Sequence, residues 1–179
     1  MKQKNLGNGG PISADMSVLI CSYFTLFLSN LFLPPSAICP AGWASFAGSC
    51  YWMTETVKNW HDAEAHCNSE QGHLASFHSQ EELSFLTGEL IHYGINTQSW
   101  VGLNDINVEG QFVYTDGTPA DFLLWAPNQP DNYQNNEDCV HLRGMNHHEA
   151  GKLNDDFCTS TMEYICKKEN RLMVILGKI

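Results

Sequence analysis

Cationic side chains are scarce in this sequence: nine Lys and Arg stand against 20 Asp and Glu, a formal net charge of −11 over 179 residues. So acidic a chain repels phosphate backbones and anionic lipid headgroups, which argues against nucleic acid as a partner. There is no Gly-x-Ser-x-Gly elbow, no His-Glu-x-x-His helix and no phosphate loop. Without those motifs, and with no other nucleophile-and-base arrangement in evidence, no enzymatic function is expected. No Asn-x-Ser/Thr sequon occurs, so nothing points to an N-glycan. Between Cys39 and Lys168 there is no Pro/Gly/Ser-rich linker, internal repeat or low-complexity tract, and one compact domain is expected over 38–170.

The chain also lacks a long uninterrupted apolar run. The best candidate, Val18 to Leu33, is broken by Ser22, Thr25, Ser29 and Asn30 and ends at Pro34-Pro35. It is short for a membrane span and reads better as a secretory signal within a leader over 1–37, cleaved near Ala37. Met16 is an alternative start, and a retained signal anchor is the competing reading. Of the seven cysteines, Cys21 lies in this run, and its removal leaves Cys39, Cys50, Cys67, Cys139, Cys158 and Cys166. An even set in a secreted, extracellular domain implies a disulfide framework, whose pairing sequence alone does not choose.

Periodicity predicts two helices early and short strands late. Asn59 caps a first helix with Trp60, Ala63 and Cys67 on one face, and Gly72 is placed to end it. After a strand over 73–77, Ser79-Gln80-Glu81-Glu82 forms a capping box ahead of the stripe Leu83, Leu86 and Leu90. Strand candidates follow at Ser99–Leu103, Gln111–Thr115, Cys139–Leu142 and Glu163–Lys167, giving an α+β fold. The connection from Asp116 to Asp138 is long and rich in Pro, Asn and Asp, as functional loops are.

That loop concentrates oxygen donors: Gln129, Asp131, Asn132, Glu137 and Asp138, with a second group, Asn154-Asp155-Asp156, just before Cys158. Carboxylates and amide carbonyls of this kind are the ligands that calcium takes. A cis bond before Pro130 would turn the Gln129 and Asp131 side chains the same way.

Trp100-Val101-Gly102-Leu103, Gln129-Pro130-Asp131, Glu137-Asp138-Cys139 and Asn154-Asp155 occur in the order and nearly the spacing of the C-type lectin family, which the chain resembles from Cys39 to Lys168. The resemblance implies that family's fold, with two helices, small antiparallel sheets, a long calcium-binding loop and three disulfides. It pairs Cys39 with Cys50, Cys67 with Cys166 and Cys139 with Cys158, the last tying the two donor segments together. It implies a calcium ion held by Gln129, Asp131, Glu137, Asn154 and Asp155, Asp155 contributing its backbone carbonyl as well. A second calcium would lie on Asp105, Glu109, Asn132, Glu137 and Asp138. Asn132 stands there in place of a more usual acid, which loosens that site by one charge.

The implied function is calcium-dependent binding of galactose-type glycans on cell surfaces or glycoproteins. Gln129, Asp131, Tyr133, Glu137 and Asn154 would touch the sugar. In the family the Gln-Pro-Asp order goes with galactose and Glu-Pro-Asn with mannose, and Tyr133 stands where a ring packs on the apolar face of galactose. Two departures are visible. Leu153 replaces the Trp that usually precedes Asn-Asp, and the lengthened 141–152 connection carries His141, His147, His148 and Glu149, a set expected to be a solvated turn rather than a zinc site. The same fold also serves calcium-dependent ice-, mineral- or protein-surface binding without sugar recognition, the competing reading. Single sites of this type bind weakly, and with every mature cysteine committed, clustering requires a non-covalent homo-oligomer. The apolar tail over 171–179 offers an extra contact or frays.

Overall fold

The computed structural model describes residues 39–170. The expected leader with Cys21 and the apolar tail lie outside the described residues.

The domain opens with a hairpin of β1 (Ala44–Phe46) and β2 (Ser49–Lys58). Ala47 and Gly48 join the strands with φ of 46° and 85°, the paired positive angles of a two-residue hairpin turn. The Cys39–Cys50 disulfide closes it. Next comes α1 (Trp60–Ser69), capped by Asn59, whose side-chain oxygen accepts the Asp62 N–H at 2.9 Å. Trp60, Ala63 and Cys67 face inward. Gly72 does not end α1 by a left-handed turn; Gln71 supplies that, with φ of 66°. Gly72 is needed for space, because a Cβ there would lie 2.3 Å from the Lys167 carbonyl oxygen.

Beyond the short β3 (His73–Leu74) lies α2 (Gln80–His92), with the Ser79 hydroxyl accepting the Glu82 N–H at 3.1 Å. The reciprocal half of the box is altered. Glu82 accepts the His78 N–H at 2.9 Å rather than that of Ser79, and its other oxygen turns inward to the Tyr51 hydroxyl and to Lys167 Nζ at 2.9 Å.

The remaining strands are β4 (Ser99–Asn104), β5 (Val113–Tyr114), β6 (Cys139–Leu142), β7 (Leu153–Asp156) and β8 (Met162–Glu169). They join one mixed sheet in the order β1-β2-β8-β4-β6-β7, with β3 on β8 and β5 on β4. The α+β architecture is therefore as expected, but the strands run through one path, because β4 and β8 pair in parallel. Strand β4 is buried along its length: Val101 and Leu103 enter the cluster with Leu83, Leu86 and Leu90, and Trp100 enters the cluster around Trp60. Each such fully buried leucine contributes about 1.5–3 kcal/mol of transfer free energy.

Two further disulfides position the functional end. Cys67–Cys166 fastens α1 to β8, and Cys139–Cys158 fastens the start of β6 to the segment after β7. The long loop docks on β7, where the Leu153 N–H meets the Leu124 carbonyl at 2.8 Å and the Ala126 N–H meets the Leu153 carbonyl at 2.9 Å. Leu153 is fully buried there and fills core volume.

Candidate metal centre

Asp131, Glu137 and Asp155 offer carboxylate oxygens that all lie within 4.8 Å of one another. Among the described residues no Lys, Arg or His is ion-paired with any of the three. The backbone holds them in place. Asp155, on β7, accepts the N–H groups of Asp131 at 3.2 Å and Asn132 at 2.8 Å, which pins the loop after the cis Gln129–Pro130 bond. Glu137 accepts the Tyr133 N–H at 2.9 Å and donates its own N–H to Asn132 Oδ1 at 3.2 Å. Asn132 takes a left-handed conformation, φ 43°, which asparagine tolerates better than most residues.

Glu137 and Asp155 are buried and Asp131 is exposed. Burial, with the neighbouring Asp155 and Asp131 carboxylates, outweighs the Tyr133 N–H bond and pushes Glu137 up to about 7. Gln129 Oε1 is buried and has no hydrogen-bond partner. Three crowded carboxylates and an unpaired amide oxygen are hard oxygen donors of the sort calcium gathers in sixes to eights, so the donor set fits that ion.

Asn154 stands differently from the expectation. Its Oδ1 accepts from Arg143 Nη2 at 2.6 Å and Nε at 3.2 Å, while Nδ2 donates to the Asp155 carbonyl at 2.6 Å and lies 3.2 Å from His141 Nε2. Asn154 thus has its nitrogen on the Asp155 backbone carbonyl and its oxygen directed at a guanidinium. Arg143 and His141 were not singled out as neighbours of the centre from sequence. The available signal was strand alternation, since His141 pairs opposite Asn154 and Arg143 follows two residues later.

At the second expected centre, Asp105 is buried and its Oδ2 accepts the Gly110 N–H at 2.7 Å, while Oδ1 has no partner. Burial, joined by the Glu109 and Asp138 charges, holds Asp105 above the usual carboxylate range despite the Gly110 bond. Asn132 spends its side-chain oxygen on Glu137. Among the described residues, only Asp131, Glu137 and Asp155 bring three acidic, His or Cys ligand atoms together.

The histidines divide. His141 is buried in β6 against the Trp100 ring, not part of a solvated turn, whereas the His147 and His148 rings stack on each other at 4.4 Å. Tyr133 is 57% exposed and meets Phe157 edge-on at 6.2 Å, an aromatic partner unmarked in the sequence reading.

Fold and site together define a small disulfide-braced domain that presents oxygen donors from one long loop and the strand it docks on. The family model described as "Lectin C-type domain" matches residues 56–168. This chain belongs to the C-type lectin domain family, whose members are binding domains and not enzymes. It is 39% identical over 132 residues to the low affinity immunoglobulin epsilon Fc receptor of Mus musculus, covering 73% of this chain and 37% of the relative. The chain spans less than half the length of the curated relatives it matches. Among solved structures, the cow CD23 carbohydrate-recognition domain in the presence of GlcNAc2Man3 oligosaccharide superposes with a TM-score of 0.67 and 34% identity, covering 74% of this chain and 97% of that one. A calcium-independent type II antifreeze protein superposes with a TM-score of 0.66 and 30% identity, covering 74% and 95%.

Proposed function

We propose that this domain binds glycans through a calcium ion held by Gln129, Asp131, Glu137, Asn154 and Asp155, with a preference for galactose-type sugars. The observation that carries this reading is the group of three carboxylates without a cationic partner, next to the unpaired Gln129 oxygen. When bound, calcium supplies coordination positions at which two neighbouring sugar hydroxyls replace water. The protein's part is orientation: Asp131 and Glu137 accept from the hydroxyls, the Gln129 and Asn154 amides donate to them, and Tyr133 packs on the apolar face of the sugar. The order Gln129-Pro130-Asp131 supports galactose over mannose. A second calcium on Asp105, Glu109, Asn132, Glu137 and Asp138 would be looser, since Asn132 brings no charge and these side chains must first draw together around the ion.

Three disulfides suit an oxidising compartment, and we place the domain, 38–170, outside the cell after a signal-bearing leader over 1–37. No helix among the described residues is long and apolar enough to cross a membrane. The partners are galactose-type glycans on cell surfaces or glycoproteins, with avidity from a non-covalent homo-oligomer. A second reading, an ice-, mineral- or protein-surface binder, draws on the similarity to the antifreeze protein and on Asn154 facing Arg143.

The test is retention on immobilised galactose in calcium, followed by elution with chelator, galactose or mannose. Release by chelator and galactose but not mannose is expected. Retention on ice or mineral that galactose does not displace would establish the second reading instead.

A further inference from the structure

We propose that Arg143 is a built-in competitor for the metal centre: its guanidinium holds the Asn154 carboxamide in an orientation that denies its oxygen to a cation, so calcium binds only by displacing Arg143. This inference rests on the calcium-site reading above.

Arg143 follows β6 and shares with His141 the side of the strand opposite Asn154. Its backbone is fixed by the return of the 143–152 loop, with the Arg143 N–H on the Lys152 carbonyl at 2.8 Å and the Gly151 N–H on the Arg143 carbonyl at 2.9 Å. The side chain is therefore delivered to Asn154 by a closed loop. Two guanidinium nitrogens reach Asn154 Oδ1, at 2.6 and 3.2 Å.

A guanidinium only donates, so this contact decides which end of the amide carries oxygen. The nitrogen end is left on the Asp155 carbonyl at 2.6 Å, with His141 Nε2 at 3.2 Å. Both atoms that the proposed site draws from this stretch of backbone and amide are then engaged: Asn154 Oδ1 by Arg143, and the Asp155 carbonyl by Asn154 Nδ2. Turning the amide to offer its oxygen beside that carbonyl brings the NH2 group against the guanidinium, donor against donor. Arg143 must withdraw before the ligand set is complete. No ion pair among the described residues uses Arg143, so its charge adds a direct repulsion of a second cation. Arg143 thus acts through Asn154 as a positioning residue that sets the calcium concentration at which the domain loads.

Calcium binding without sugar is measured by calorimetry on the disulfide-bonded chain, comparing wild type, Arg143→Gln and Arg143→Lys. Arg143→Gln removes the charge and is expected to bind calcium roughly five- to tenfold more tightly. Arg143→Lys keeps the charge without the fork and is expected to fall between the two. A wild type that binds calcium and an Arg143→Gln variant that binds it equally or less tightly would overturn the competitor role and leave the calcium site standing. Binding by neither protein overturns the site reading, and the inference with it.

A second measurement needs no variant. The Arg143 Nε–H resonance is expected to exchange slowly in metal-free protein, and to shift and exchange faster at saturating calcium. A resonance that calcium leaves unchanged overturns the inference.

Discussion

Tyr133 is held by its backbone and left free at its ring. Its N–H bonds Glu137 at 2.9 Å, while the side chain stands 57% exposed beside Phe157. Tyr133→Ala therefore leaves the N–H bond in place and removes only the ring. A ring covering roughly 40 Å² of apolar sugar face is worth about 1 kcal/mol at ~25 cal/mol per Å², so galactose affinity is expected to fall several-fold with calcium affinity unchanged, measured by titrating each ligand. Glu137 carries the pH dependence of the centre. In metal-free protein its proton stays on up to about pH 7, and a carboxylate must lose that proton to serve as a ligand. Calcium affinity is accordingly expected to fall as pH drops from about 7.5 to about 5.5, and galactose-bound protein to elute in acid. Equal calcium affinity at both pH values would remove Glu137 from the ligand set.

At the scale of elements, the first turn of α2 is joined to the sheet by one buried carboxylate. Glu82 is pushed up by burial, but bonds from Tyr51 and Lys167 and the Lys167 charge outweigh this and hold it below the usual range. A folded value lowered in this way stabilises the domain above the ordinary carboxylate range, and the contribution is lost as pH falls through the folded value. Glu82→Gln leaves the half-buried Lys167 ammonium without its ion partner, though still bonded to Ser76, and loss of that charged hydrogen bond costs about 2 kcal/mol. The expected result is a lower urea midpoint at neutral pH, with less further loss on acidification than in wild type. A variant as stable as wild type would show that Lys167 finds solvent or Ser76 sufficient, for Ser76 Oγ lies 3.1 Å from its ammonium.

Across the whole molecule, the proposed calcium centre draws on segments well separated in the chain. Asp131 and Glu137 come from the long loop and Asp155 from β7, with the Cys139–Cys158 disulfide bridging a separation of 19 residues. Closing a loop of that size stabilises by about 3 kcal/mol in the chain-entropy account. Cys139→Ser with Cys158→Ser is expected to lose roughly that much stability in urea unfolding, and to bind calcium more weakly as the two donor segments gain freedom. Unchanged calcium affinity in the double variant would mean that the β6–β7 ladder alone aligns them.

What sequence alone determined is largely local. Asn59 and Ser79 bond N–H groups three residues ahead, so the helix starts were legible from neighbours. The stripe Leu83, Leu86 and Leu90 needs only helical spacing, and the donor types in the 129–138 loop are readable as letters. Tertiary structure decided where side chains separated by long stretches of chain meet. Gly72 was placed as a helix stop, yet it is required because β8 passes where its Cβ would stand. Glu82 was half of a capping box, yet its partner is Lys167, 85 residues away. His141 was placed both in the 139–142 strand and in the solvated 141–152 turn, and it is the strand that holds it, buried, while Asn154 was assigned by its oxygen and Arg143 holds that oxygen. Caps and stripes follow from backbone geometry within a turn or two, whereas cross-strand partners follow from register, which is set only once the sheet has formed.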